Sequence, residues 1–378
     1  MKVRTILVAA TAIVLSAALG GPALAAPPVS TDHDATRRAV EAVVKSGVPG
    51  VTATAQDAHG TWSTTAGVGD IRTGRSRSPH DRYRVGSITK TFVATVLLQL
   101  EAEGRLSLDD TVEKWLPGAV HGNGHDGSRI TVRQLLGHTS GIFNYTEDDE
   151  FGREYFTKDG FLRHRYDRKS PEDLLAFAMS HKPAFEPGTS WGYSNTNYLL
   201  AAMVIEKATG HAYGTEIHDR LIAPLRLTGT SVPGTRVTLP QPSSRAYSKL
   251  AESTTGPTYD VTTLSPTLAA GSGDMISDNA DLNRFYRALL GGALLPPYQL
   301  EEMKTTVPTG GPGTAYGLGL GVHTLSCGVQ VWGHDGGIHG SNSDAVTTAD
   351  GRHSLAFNFN GDWTGDDASV IEAEFCGK

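Results

Sequence analysis

Ser87-Ile88-Thr89-Lys90 is the only Ser-x-x-Lys in the chain, and it opens the strongest helical pattern in the sequence. At i and i+3 on a helix, both side chains lie on one face within reach of each other. A serine hydroxyl is a weak nucleophile that needs a neighbouring base. Lysine can be that base where burial and the positive helix N-terminus disfavour its ammonium form. The same helix start aims the Ser87 N–H at the place where an oxyanion would form. Tyr193-Ser194-Asn195 stands just before a second helical pattern. A tyrosine there can relay the serine's proton to a leaving group, and the amide can orient a substrate carbonyl. As a bare sequence the same tripeptide also reads as a helix cap. His334-Asp335-Gly336-Gly337 follows a strand pattern, where glycines let a substrate backbone come close, although an ordinary turn has the same composition.

Three other patterns compete. Gly188-Thr189-Ser190-Trp191-Gly192 has the G-x-S-x-G form, but a helical pattern and Pro187 precede it where a nucleophile elbow needs a strand. His121, His125 and Asp126 flank a Gly122-Asn123-Gly124 loop and read as solvated loop residues rather than metal ligands. His138-Thr139-Ser140-Gly141 closes a helical pattern and reads as support for the site.

The elements that must position these groups are legible in outline. Thr36 to Ser46 is a helix stopped by Gly47, and Val51–Ala55 and Trp62–Ala66 are strands around the turn His59-Gly60. Ile88, Phe92, Val93, Val96, Leu97 and Leu100 share one helix face, with Gly104 as the stop. From about 105 to 270 the patterns are mainly helical, clearest at Thr196–Ala208, and Leu282–Leu290 follows as another helix. Val329–Trp332 and His353–Phe359 are strands, and Asp366–Phe375 is a closing helix. Sheet segments at both ends with helices between predict an α/β (α+β) unit carrying a helical region, with the site between the two lobes.

The three motifs in this order are the signature of penicillin-recognising serine enzymes. The chain resembles the secreted D-alanyl-D-alanine carboxypeptidases that share the fold of class C β-lactamases. Further segments carry the resemblance: Arg82–Ser87, Ile130–Leu135, Tyr316–Leu320 and Phe375–Lys378. It implies a β-lactamase/transpeptidase-like fold, an antiparallel sheet flanked by helices with an all-helical region beside it, and no metal or cofactor. It implies Ser87 as the acylated nucleophile, Lys90 as its base, Tyr193 as proton shuttle and Asn195 as the substrate-amide contact. His334, Asp335, Gly336 and Gly337 form the third motif, with the N–H groups of Ser87 and Gly337 as the oxyanion hole. Phe143, Tyr145, Phe151 and Tyr155 fall where the family shapes its pocket mouth.

One departure bears on specificity. Members of this kind hold a terminal carboxylate with hydroxyls in the third motif and an arginine on the preceding strand. Here the hydroxyl positions are Asp335 and Gly337, and Gly319–His323 carries no arginine. An anionic Asp335 repels a carboxylate. The leading expectation is a D-Ala-D-Ala carboxypeptidase acting on peptidoglycan stem peptides. Its alternatives are an esterase or D-amino-acid amidase or aminopeptidase with the same acyl-transfer machinery, and a non-catalytic receptor for β-lactams or peptidoglycan.

Composition narrows the setting. The chain has 378 residues, 39% hydrophobic and 19% charged, with a net charge of −7, so a basic nucleic-acid-binding surface is not expected. Lys2 and Arg4, the apolar run Ile6–Leu19 and Ala23-Leu24-Ala25 read as a secretory signal peptide cut after Ala25 or Ala26. Its loss removes two basic residues and takes the net charge to −9. The expectation is one hydrolase domain over residues 26–378, secreted, monomeric and without a membrane anchor after cleavage. In a secreted chain, Cys327 and Cys376 read as one disulfide, worth roughly 2–4 kcal/mol.

Overall fold

The computed structural model describes residues 33–250 and 254–377; the proposed signal peptide lies outside the described residues. Helix α1 (Asp34–Lys45) leads into strands β1 (Gly50–Asp57), β2 (Gly60–Asp70) and β3 (Arg75–Ser76). The late part of the chain adds β4 (Val307–Pro308), β5 (Thr314–Tyr316), β6 (Gly321–Thr324), β7 (Gln330–Ile338), β8 (Ser341–Thr348) and β9 (Ser354–Phe359). They form one sheet in the order β4-β5-β6-β7-β8-β9-β1-β2-β3, antiparallel throughout. The N-terminal hairpin therefore pairs with the last strand, as the two-ended sheet pattern implies.

Period-two alternation decides what each face holds. On β1, Val51, Ala53 and Ala55 pack with Val40, Val43 and Phe357 beneath α1 and the final helix α5 (Asp367–Cys376). Thr52 and Thr54 instead meet α4 (Asn279–Leu290), where Asn279 Nδ2 donates to Thr52 Oγ1 at 3.3 Å and Asn283 Nδ2 to the Thr54 carbonyl at 2.8 Å. Behind α4 runs α2 (Thr89–Ala102), buried on nearly every side, with Phe92 stacked on Phe285 at 3.7 Å. Gly104 follows α2 with φ +68°, a conformation glycine adopts without a Cβ penalty. Residues 105–225 form the helical region, crossed by α3 (Asn195–Thr209) against α2. Cys327, in the turn before β7, is disulfide-bonded to Cys376 at the end of α5.

Four expectations change. The helical region ends at Leu225, and 226–250 and 254–265 are loop broken by two-residue strands, because their prolines and polar residues carry no helical period. The third motif does not follow a strand but lies inside the second half of β7. Strand β8, in sequence Ser-Asn-Ser-Asp-Ala-Val-Thr-Thr, carries too few apolar residues to show as a strand. His125 is buried rather than solvated, held by the two-residue pairing of His121–Gly122 with His125–Asp126. Among the described residues no His, Cys, Asp or Glu group could hold a metal ion, and no helix is long and apolar enough to cross a membrane.

Candidate active site

Two glycines bring the nucleophile to the sheet. Gly86 has φ +53°, and a Cβ there would stand 2.9 Å from both the Gly336 carbonyl carbon and the Gly337 nitrogen. A Cβ on Gly336 would meet the Val85 oxygen at 1.9 Å. Bare backbone on both sides lets the turn before α2 lie directly on β7. That approach brings the Gly336–Gly337 backbone against the Gly86–Ser87 turn, with a Cβ on Gly336 also only 3.1 Å from the Ser87 nitrogen. Thr89 fixes the turn: its hydroxyl donates to the Gly86 carbonyl at 2.8 Å and accepts from the Met275 N–H at 3.2 Å.

Lys90 is fully buried one helical step beyond. Its Nζ lies 3.0 Å from Ser87 Oγ, 2.8 Å from Asn195 Oδ1 and 2.7 Å from the Ser272 carbonyl. Burial pushes the ammonium down to about 7, although the charge of Asp335 pulls it partly back. Near neutral pH a large fraction of Lys90 is therefore the free amine, which accepts the Ser87 proton instead of donating to its oxygen.

Tyr193 closes the other side. Its ring is tilted against His138, 4.4 Å away, and Lys90 Nζ stands 4.8 Å from its centroid. Burial, then the charge of Asp335, pushes the phenol far above its ordinary range, against a hydrogen bond with Ser87 that draws it down. Tyr193 is thus a protonated phenol beside Ser87, not a standing tyrosinate. His138 adopts φ +57°, and burial keeps its ring well below its ordinary value, hence neutral. Its Nδ1 accepts from the Ser194 N–H at 3.2 Å and from Asn197 Nδ2 at 3.1 Å. The neutral ring thereby fixes the Tyr-x-Asn segment, the supporting role expected for the 138–141 stretch.

Asn195 begins α3. Its Oδ1 takes the Lys90 bond and its Nδ2 donates to Thr146 Oγ1 at 3.2 Å, which leaves one N–H for a substrate carbonyl. His334 is buried, with Nδ1 2.6 Å from the Asp335 carbonyl and Nε2 2.9 Å from the Tyr316 hydroxyl. Asp335 stands inside the cleft with its side chain 77% accessible. Desolvation by the cleft walls raises its carboxyl, but the hydrogen bond and charge of His334, with Lys90, bring it down to about 2.

Two cavities border these groups. On one side is a cavity of about 930 Å³ bounded by Tyr145, Phe151, Phe156, Phe161, Leu264 and Ile338, with Asn195 and Gly337 at its inner edge. On the other is a groove of about 480 Å³ that contains Tyr193, His334, Asp335, Asp344 and Asp367. The structure thus gathers Ser87, Lys90, Tyr193, Asn195, His334, Asp335, Gly336 and Gly337 into one site. Tyr145, Phe151 and Tyr155 are buried cleft walls, whereas Phe143 stacks on His181 at 3.9 Å. Ser190 follows no strand and has no part in the site. Tyr316 opens one of the segments that carried the resemblance, whereas Ser272, Thr146 and Asp344 were not legible: none belongs to a motif, and Ser272 acts through its backbone carbonyl.

The sequence profile of the beta-lactamase family matches residues 36–373. A D-stereospecific amidohydrolase from Streptomyces sp. superposes with a TM-score of 0.88 at 60% identity, covering 92% of this chain and 99% of that one. The D-amino acid amidase from Ochrobactrum anthropi SV3, complexed with D-phenylalanine, gives a TM-score of 0.76 at 26% identity over 91% of this chain and 99% of its own. Among curated relatives, penicillin-binding protein 4* of Bacillus subtilis (strain 168) is 26% identical over 77% of this chain and 63% of its own length. This chain spans less than two thirds of the curated relatives it matches.

Proposed function

The chain belongs to the beta-lactamase family and is homologous to penicillin-binding proteins, and on that premise we propose that it is a D-stereospecific amidohydrolase. Its substrates are amides of D-amino acids, and the reaction passes through an acyl-enzyme on Ser87. Neutral Lys90 takes the Ser87 proton as Oγ attacks the amide carbonyl. The N–H groups of Ser87 and Gly337 hold the oxyanion, and Asn195 orients the acyl part. Tyr193 passes a proton to the amine as the C–N bond breaks, and water then releases the D-amino acid from Ser87.

The observation that carries this reading is the charge of the groove where the leaving group departs. Its wall includes Asp335, Asp344, Asp367 and Glu372 and, among the described residues, neither Lys nor Arg. A terminal carboxylate there would meet like charge with no lysine or arginine on the wall to oppose it, whereas ammonia or an amine would not. The amidase alternative therefore takes precedence over the D-Ala-D-Ala carboxypeptidase expectation. The names of the two structural relatives support it.

The test compares D-phenylalanine amide, L-phenylalanine amide and a D-Ala-D-Ala-ended peptide with wild-type protein and Ser87→Ala. Ser87-dependent turnover of the D-amide, with little of the other two, is expected. Preference for the free-carboxylate peptide would overturn the reading, and no Ser87-dependent turnover would leave the receptor. Secretion is part of the same proposal, supported by the leader-like N-terminus and the disulfide. Retention of the intact leader in the cytoplasm would refute it.

A further inference from the structure

The groove beyond Tyr193 holds charge that the chemistry above does not use. Asp335 and Asp344 are direct partners across β7 and β8, so both project from the same face of the sheet. Carboxylates in that relation stand about 5 Å apart and repel. Asp344 is only 7% exposed, yet it lines the groove and has no hydrogen-bond or ion-pair partner among the described residues. Burial, then the charges of Asp335 and Asp367, pushes its carboxyl far above the ordinary range. Glu372 is already engaged, accepting from the Ser326 N–H at 2.8 Å and the Ser326 hydroxyl at 2.7 Å. Asp344 is left without an opposing charge in a buried place where one would stabilise it strongly.

The chemistry of the missing partner follows from the walls. No cluster among the described residues has the spacing to hold a metal ion. The acids instead line the same groove as Tyr193, the residue proposed to hand the departing amine its proton. A cation at the far end of that amine's own side chain would reach them while its scissile bond lay at Ser87.

We infer that this groove is a leaving-group subsite for a cationic amine: a D-aminoacyl amide whose leaving amine carries a second ammonium or guanidinium group, held by Asp344 together with Asp335 and Asp367. The inference rests on the amidohydrolase reading above. Ionisation of Asp344 and binding of the cation favour each other, so the preference strengthens as pH rises and weakens as salt screens it.

The experiment measures kcat/KM for the mono-amide of D-phenylalanine with 1,5-diaminopentane against the uncharged pentylamide, with D-phenylalanine amide alongside. At low salt the wild type is expected to favour the cationic amide by about tenfold. Asp344→Asn is expected to bring that ratio below about twofold. Asp367→Asn, on the exposed start of α5, should lower it by a factor of about two and does not disturb the strand pair. Each ratio is taken within one protein, so loss of folded material cancels. A wild-type ratio near one, with D-phenylalanine amide turned over, overturns this inference alone. Retention of the full ratio in Asp344→Asn overturns it as well. No turnover of D-phenylalanine amide overturns the amidohydrolase reading, and this inference with it.

Discussion

The two cavities beside Ser87 differ in how their acids are balanced. The 930 Å³ side sets Tyr145, Phe151, Phe156 and Phe161 beside charges of both signs, with Arg153 and Lys158 among its acids. The 480 Å³ side is walled by the sheet and the start of α5, and its character is negative charge. Ser87, Asn195 and Gly337 line the first, and Tyr193, His334 and Asp335 line the second. One catalytic apparatus can therefore serve several substrates, and the walls decide which.

Breaking the shared catalytic apparatus should abolish the comparison altogether. Ser87→Ala is expected to lower kcat for any D-amide on the order of 10⁴-fold or more, with no acyl-enzyme detectable by mass spectrometry. Residual turnover within tenfold of wild type would remove Ser87 from the chemistry.

Lys90 comes next. Its free amine is the competent base, so kcat/KM should rise as pH increases through about 7. Folding stability carries the same sign. Lys90 is held below its ordinary value in the folded state, so the native protein binds fewer protons than the unfolded chain above about pH 7. Lys90→Met should therefore lose the part of the stability gain that wild type shows above pH 7, and lose roughly 10²- to 10⁴-fold in rate. A variant with the wild-type pH–rate profile would show that another group takes the proton.

The acidic side can be altered alone. Asp335→Asn removes the like charge nearest a substrate carboxylate, and should raise the kcat/KM of D-Phe-D-Ala relative to D-Phe-D-Ala amide by about tenfold at low salt. An unchanged ratio would mean that the rejection of carboxylates resides in Asp367 instead.

How far the sequence disclosed this contrast follows from the physics of each part. Ser87 and Lys90 are one helical step apart, so local geometry brings them together without tertiary information. Asp335 is likewise visible as a departure inside a known short motif. Asp344 is not, because its strand is polar. Ser341 and Ser343 on β8 bond to Asn358 of β9 at 2.8 and 3.2 Å, so the buried surface carries hydroxyls where alternation would look for aliphatics. The aromatic wall was glimpsed at Tyr145, Phe151 and Tyr155, but Phe156 and Phe161 reach the cleft only through the packing of two short helices around His339. The disulfide was legible from the count of two cysteines in a chain with a leader-like start.

The aromatic side gives the smallest expected effect and the finest test of the division. Phe156 is 47% exposed, lies against Phe151 and His339, and borders the large cavity. An aromatic D-side chain seated there would cover part of that ring, while a D-alanyl methyl would not reach it. Phe156→Ala should therefore lower kcat/KM for D-phenylalanine amide about threefold to tenfold relative to D-alanine amide. The cost to stability should be small, because much of the ring is already in water. The preference for cationic leaving amines should not move, since Phe156 borders the other cavity. A change in that preference without a change in the phenylalanine-to-alanine ratio would mean that acyl and leaving groups occupy the two sides in the reverse order.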